Sequence, residues 1–337
     1  MLNETKRLVD ELMEAGELSN IAIRVGRGEN ILAELYSDGI NENTLFDMAS
    51  ITKILSVTMI SLISIEKGLF SLDDKVSRFF KVPQHYCELT VKNLLTHTMG
   101  IGHKNLTGAG RSYKDIAEYI LTLYDNPVGE NTEYSCPAFI LLGKILESIY
   151  GKRIDVLFDE LVAKPVNMRK SGFLPTEKGY RDIVNSNLTE NERGLVNDYN
   201  CRYLGGVAGN AGIFSSMHDM TLFVNMLLGY GYQLFSKETL EAAAINQTEG
   251  MNEARAIGFR YVDNRYKQTG DLFPIGSIGH VGYTGTSFFF NRESGLYVII
   301  LSDATISVTK KYGKAIYDKV KLMRQQIHNA IKKDLNL

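Results

Sequence analysis

Ser50 and Lys53 stand three residues apart in FDMASITK (residues 46–53), at the head of an apolar run that extends to Ile65. The same spacing recurs at Ser64/Lys67 and Ser307/Lys310, so spacing by itself selects nothing. A helix beginning near Ser50 places Ser50 and Lys53 on one face, one turn apart. Ser50 would then sit in the first turn, where free N–H groups and the helix dipole favour developing negative charge. A serine hydroxyl is a weak nucleophile until a base takes its proton. Lysine can be that base only if its pKa falls from about 10.4. Ile51, Ile54, Leu55, Val57 and Met59 make Ser50 the only one of the three serines to head a buried-looking helix. Burial there is expected to desolvate Lys53. The plainer alternative is a helix-capping serine followed by a surface lysine.

The elements that must hold this pair follow from periodicity. Residues 2–14 read as an amphipathic helix and 21–39 as a β-hairpin. Helices are predicted at 50–67, 72–80, 90–98, 112–124, 136–150, 154–163, 216–229 and 236–244. A second hairpin covers 286–303, turning at Asn291 to Gly295, and one long helix from 307 to 333 carries Lys and Arg on its outer face. Residues 185–215, rich in Asn and Gly, read as a long loop. Strands at both ends of the chain imply one antiparallel sheet built from both termini and flanked by terminal helices. The fold class is α/β, an α+β sandwich with an inserted helical domain. The expected division is 1–67 with 255–337 for the sandwich and 68–254 for the helical part, the cleft lying between them.

Composition narrows the classes of function. Net charge is −2 over 337 residues, with 23% charged, which gives no electrostatic case for nucleic acid. The basic stretch from Lys310 to Lys333 is interleaved with apolar residues and reads as a solvated helix face. Three cysteines, Cys87, Cys136 and Cys201, imply no disulfide framework. No signal-peptide pattern opens the sequence, and the apolar run 54–65 is too short for a membrane span, so a cytoplasmic location is expected. The six histidines form no metal-binding pattern, and GGVAGNAG (205–212) lacks the Lys-Ser/Thr of a phosphate loop. No metal or organic cofactor is expected, and no oligomeric state is implied.

Five segments, taken together, resemble the serine β-lactamase-like superfamily: class C β-lactamases, penicillin-binding proteins and related esterases. They are FDMASITK, LLTHTMGI (94–101), PVGENTEYSCPAFILLGKILESIYGK (127–152), LGGVAGNAGIFSSMHDMTLFVNMLL (204–228) and GHVGYTGTSFFFNRESGLYVIILSD (279–303). The resemblance implies that Ser50 is the nucleophile and Lys53 its base. It also implies a tyrosine that shuttles the proton. Tyr134 fits the surrounding frame, whereas Tyr124-Asp125-Asn126 matches only the literal Tyr-x-Asn. The third motif falls on His280-Val281-Gly282, with Gly282 allowing close approach of a substrate backbone. The N–H groups of Ser50 and Tyr283 would form the oxyanion hole, and Asn210 would line the cleft.

Departures from the family pattern refine the expectation. Cys136 stands where an asparagine often binds a substrate amide, and His280 and Val281 stand where Lys and Thr often hold a carboxylate. A site short of these partners should discriminate poorly for amide- and carboxylate-bearing substrates. The expected function is a serine hydrolase working through an acyl-enzyme on small esters. The alternatives are a D-Ala-type peptidase or weak β-lactamase and, from another class, a penicillin-acylated sensor without turnover.

Overall fold

The computed structural model describes residues 2–107, 115–230 and 234–337. Helix α1 (Asn3–Glu14) precedes the hairpin β1 (Ile21–Arg27) and β2 (Asn30–Tyr36), and β3 (Phe46–Asp47) leads into the Ser50 turn. The helical middle comprises α2 (Met59–Glu66), α3 (Val91–Leu95), α4 (Ile116–Thr122), α5 (Cys136–Tyr150), α6 (Ile154–Phe158) and α7 (Lys164–Val166). Then come β4 (Gly172–Phe173), α8 (Tyr199–Tyr203), β5 (Ile213–Ser215), α9 (Met217–Asn225) and α10 (Lys237–Ala243). Strands β6 (Arg260–Tyr261), β7 (Ile278–Val281), β8 (Ser287–Phe290) and β9 (Leu296–Ser302) lead to α11 (Ala304–Tyr312) and α12 (Tyr317–Leu335).

Both termini build one six-stranded antiparallel sheet, ordered β2-β1-β9-β8-β7-β6. Period-two alternation sorts its side chains. Ile21, Ile23 and Val25 of β1 and Val298 and Ile300 of β9 face α1 and α12. Ala22, Tyr297, Ile299 and Leu301 turn the other way, into the core shared with the helical middle. The central strands are therefore apolar on both faces, as a sheet covered on both sides requires. A three-stranded sheet, β3-β5-β4, ties the start of the Ser50 segment to the helical part.

Several predicted elements change form. Residues 72–80 hold only a short 3-10 turn, Val76–Arg78. Their backbone groups bond across instead, Val76 N–H to Leu89 O (2.8 Å) and Lys92 N–H to Leu72 O (2.8 Å). The predicted 90–98 helix stops at Leu95, and residues 112–114 of the 112–124 helix lie outside the described residues. The loop at 185–215 contains α8 and β5. The single terminal helix is two, broken at Gly313 with φ of 70°. Arg324 on α12 is fully buried rather than on the outer face, and donates to Gly282 O (2.5 Å) and Gly285 O (3.3 Å).

The run judged too short for a span proves longer as a helical segment. Ala49–Glu66 meets the length and hydropathy of a membrane helix, but 83% of it is buried inside the protein. It is the central helix of the core.

Candidate active site

Ser50 sits on a tight turn rather than at the start of a regular helix. Ala49 has φ of 45°, a strained value for a residue with a side chain. Asp47 holds that turn, its Oδ1 accepting from Ala49 N–H (2.8 Å) and its Oδ2 from Asn197 N–H (2.7 Å). Burial pushes the Asp47 carboxyl up to about 6 despite these donors. Ala49–Ile51 forms a 3-10 turn and Lys53–Thr58 a π-helical stretch, before α2 continues regularly. Such π turns are frequent at functional sites. Asp47 was missed from sequence. A carboxylate two residues before an alanine, inside an apolar segment, was the available sign of an Asx-type turn.

Lys53 is fully buried and its Nζ donates to Ser50 Oγ (3.0 Å) and Asn210 O (2.9 Å). Cys136 Sγ lies 3.5 Å from the same nitrogen. The Tyr134 ring centroid is 5.0 Å away, so the structure brings Ser50, Lys53, Tyr134 and Cys136 together. Tyr124 instead packs on His85, with centroids 4.7 Å apart. The side chain of Asn210 is buried behind Lys53, bonding Asp198 Oδ1 (2.9 Å), and does not border the cavity.

The electrostatics differ from the expectation. Burial would lower the Lys53 pKa, but Cys136, Tyr134 and Asp198 outweigh it and raise it above the ordinary lysine value. Burial also raises Tyr134, against the opposing pull of Lys53. The two groups pull on each other as cation and anion and so titrate as one pair.

His97 brackets the tyrosine. Its carbonyl accepts from Glu133 N–H (2.8 Å) and its Nδ1 accepts from Ser135 N–H (3.0 Å), one residue to either side of Tyr134. Its ring lies 4.7 Å from that of Tyr134, and its backbone is left-handed, with φ of 59°. Burial and the nearby cations hold its pKa well below the usual histidine range, so Nε2 carries the only ring proton. Ser135 caps α5 by accepting Ala138 N–H (3.2 Å), which sets Cys136 at the first helical position.

On the opposite wall, His280 ends β7 with Nδ1 2.9 Å from Val281 O. Burial and Arg255 hold it neutral. Gly282 is required by the protein itself. A Cβ there would lie 2.1 Å from Thr286 Oγ1 and 2.8 Å from Met48 O. The absent side chain thus points at the Ser50 turn rather than toward a substrate. The next N–H, that of Tyr283, has no acceptor among the described residues.

Ser50, Tyr134, Cys136, His280 and Tyr283 border one cavity of about 900 Å³. Its wall also includes Arg255, Arg260, Arg265 and Lys267, set beside Glu253, which pairs with Arg255 and Arg260, a charged face that sequence reading did not find. Arg255 is buried, stands 5.6 Å from the Tyr134 ring centroid and pairs with Glu253 (2.7 Å). Its Nε is buried with no partner among the described residues. The expectation that the departures at 280 and 281 deprive the site of positive charge is corrected: the charge comes from another segment. Glu253-Ala254-Arg255, charges set in an apolar stretch, was the available signal.

A serine on a strained turn, bonded to a buried lysine beside a sheet–helix cavity, is the arrangement of one class of serine hydrolase. The chain belongs to the Beta-lactamase family, whose profile matches residues 5–319. A protein of Escherichia coli (strain K12) bearing the provisional name D-alanyl-D-alanine carboxypeptidase is 27% identical, covering 77% of this chain and 69% of its own length. Among solved structures, EstCE1, a hydrolase with promiscuous acyltransferase activity, superposes with TM-score 0.73 at 18% identity, covering 97% of each chain. The octameric penicillin-binding protein homologue from Pyrococcus abyssi gives TM-score 0.72 at 19% identity, over 92% of this chain and 77% of its own. These likenesses show the fold.

Proposed function

We propose that the protein hydrolyses small acyl esters through an acyl-enzyme on Ser50, and that its preferred esters carry a carboxylate close to the scissile bond. The observation that carries this reading is the Lys53 Nζ to Ser50 Oγ bond of 3.0 Å, inside a cavity walled by Arg255. Ser50 Oγ attacks the acyl carbon and its proton passes to the Lys53–Tyr134 pair after that pair has lost one proton. The N–H groups of Ser50 and Tyr283 hold the oxyanion. As the tetrahedral adduct collapses, the acyl–oxygen bond breaks and the leaving alcohol takes a proton from the pair. Water then attacks the ester on Ser50 and gives its proton to the same pair; as the Oγ–acyl bond breaks, the pair returns that proton to Ser50 Oγ and the acid is freed. Arg255, which borders the cavity, would meet the substrate carboxylate.

The same arginine favours a second reading, a D-Ala-type peptidase, since a C-terminal carboxylate next to an amide would be held identically. Cys136 offers no amide in return, which places esters first. The test is turnover of phenyl acetate, 3-acetoxybenzoate, an N-acyl-D-Ala-D-Ala peptide and nitrocefin by wild type, Ser50→Ala and Arg255→Met, with intact mass of each mixture. Ester cleavage should vanish in Ser50→Ala. Arg255→Met should lower kcat/KM for 3-acetoxybenzoate about tenfold or more relative to phenyl acetate. Faster peptide than ester turnover would select the peptidase. A stable nitrocefin adduct without turnover would select the sensor, and activity surviving in Ser50→Ala would end the reading.

A further inference from the structure

The cavity is larger than a short acyl ester fills, and its outer part is built differently from the catalytic end. Beyond Ser50 it runs to one face of α12, where Tyr317, Lys321, Leu322 and Gln325 come round on successive turns. Tyr283 stacks on Tyr317 with ring centroids 5.8 Å apart and planes at 14°. Tyr199, from the start of α8, borders the same space and is 70% exposed. Burial first, then the neighbouring Tyr199 and Tyr317 phenols, push the Tyr283 phenol up. Leu322, 51% exposed, adds an aliphatic side chain to this rim.

Aromatic rings left open to water beside a reactive serine constitute an unfilled surface for another ring. Asn200 fixes the base of this surface by accepting Leu106 N–H (2.7 Å) and donating to Lys104 O (2.8 Å), so Tyr199 projects from a tethered turn. Lys321, Leu322 and Gln325 lie beyond residue 319, where the family match ends.

We propose that Tyr199, Tyr283, Tyr317 and Leu322 form a subsite for an aromatic ring carried by the substrate, remote from the scissile bond and continuous with the Ser50 cavity. The proposal rests on the acyl-hydrolase reading and adds an aromatic group, remote from the scissile bond, to the substrate class that reading names. A ring stacked on the Tyr283–Tyr317 pair and bordered by Tyr199 would gain affinity chiefly through KM, because the contact is made equally in ground and transition states.

The test compares ethyl acetate with ethyl 3-phenylpropanoate, whose ring is on the acyl side, and 2-phenylethyl acetate, whose ring is on the alcohol side. Acid release is followed by titration. One ring-bearing ester should exceed ethyl acetate by about tenfold in kcat/KM, mainly through a lower KM. Tyr199→Ala and Leu322→Glu, both at exposed positions, should each remove most of that preference and leave ethyl acetate turnover unchanged. Calorimetric binding of 3-phenylpropanoate against propanoate to Ser50→Ala reads the subsite independently of turnover. Ring-dependent affinity lost with Tyr199→Ala supports it even if no ester is cleaved, an outcome that would sink the hydrolase reading alone. Equal affinity for the two acids, or a ring preference that survives both substitutions, overturns the subsite.

Discussion

At the residue scale, the chemistry turns on where one proton resides. Lys53 and Tyr134 are both shifted upward and lie so close that they titrate as one pair. The competent form has lost one proton and grows as pH rises. We therefore expect kcat/KM to climb on the alkaline side of neutrality with a slope of about one log unit per pH unit, the limb belonging to the pair rather than to either residue. A profile from pH 6 to 10 checks this, and a flat one would show that the resting pair already holds a vacancy. Tyr134→Phe should lower kcat by about a hundredfold or more. His97 acts through Tyr134. His97→Ala removes the Nδ1 acceptor and favours a different backbone, so kcat should fall about tenfold with little change in KM. His97→Asn should recover part of the loss, because asparagine tolerates the left-handed conformation and offers an acceptor. Equal kcat in the two variants would assign His97 to packing alone. The nucleophile, lysine and tyrosine were legible as residue types in order. Asp47 and Arg255 were not, because an Asx turn and a wall charge are defined by what folds against them.

Elements, rather than residues, decide how tightly the site is assembled. The end of β7 lies so close to the Ser50 turn that position 282 has no space for a methyl group, with Met48 O 2.8 Å from where it would stand. Gly282→Ala should therefore destabilise the fold by about 1–3 kcal/mol and displace the Tyr283 N–H. A urea melt and the ester assay should both register it. A variant that keeps wild-type stability and rate would mean that β7 can retreat without cost. The hairpins at 21–39 and 286–303 were readable because alternation and turn residues are local signals. The predicted helix at 72–80 failed because Val76 N–H and the carbonyls of Leu72 and Asp74 pair with residues 89–92, a pairing no window of sequence contains. The tail was read as one helix because periodicity persists across Gly313, and its break shows only in the positive φ.

The whole molecule is closed by its two ends. Asp334 on α12 accepts the Glu4 and Thr5 N–H groups at 2.9 Å each, capping α1, whose own first residues supply no side-chain cap. Arg324 reaches from the same helix to the carbonyls of Gly282 and Gly285, so the terminal helix braces the turn that carries Tyr283 N–H. Arg324→Met takes the donor from Gly285 O and leaves Gly282 O only the long bond from Gly285 N–H (3.3 Å). It should cost about 3 kcal/mol and lower ester turnover in proportion to how far the turn relaxes. Unchanged stability would show that other donors reach these oxygens. Sequence reading placed α12 against the sheet but assigned its basic residues to solvent, since helical spacing alone does not say which charge is swallowed.

The pairing of β1 with β9, Ile21 opposite Ser302 and Arg27 opposite Leu296, carries a further consequence. The hairpin of β1 and β2 can close as soon as residues 21–36 are made, yet the inner edge of β1 finds its partner only after Leu296 to Ser302 have followed. Contacts this distant in sequence slow folding and leave an apolar strand edge waiting. The protein should thus be most vulnerable to aggregation as a nascent chain. The same stitch that delays folding makes its final step cooperative, locking sheet, terminal helices and the turn bearing Tyr283 together.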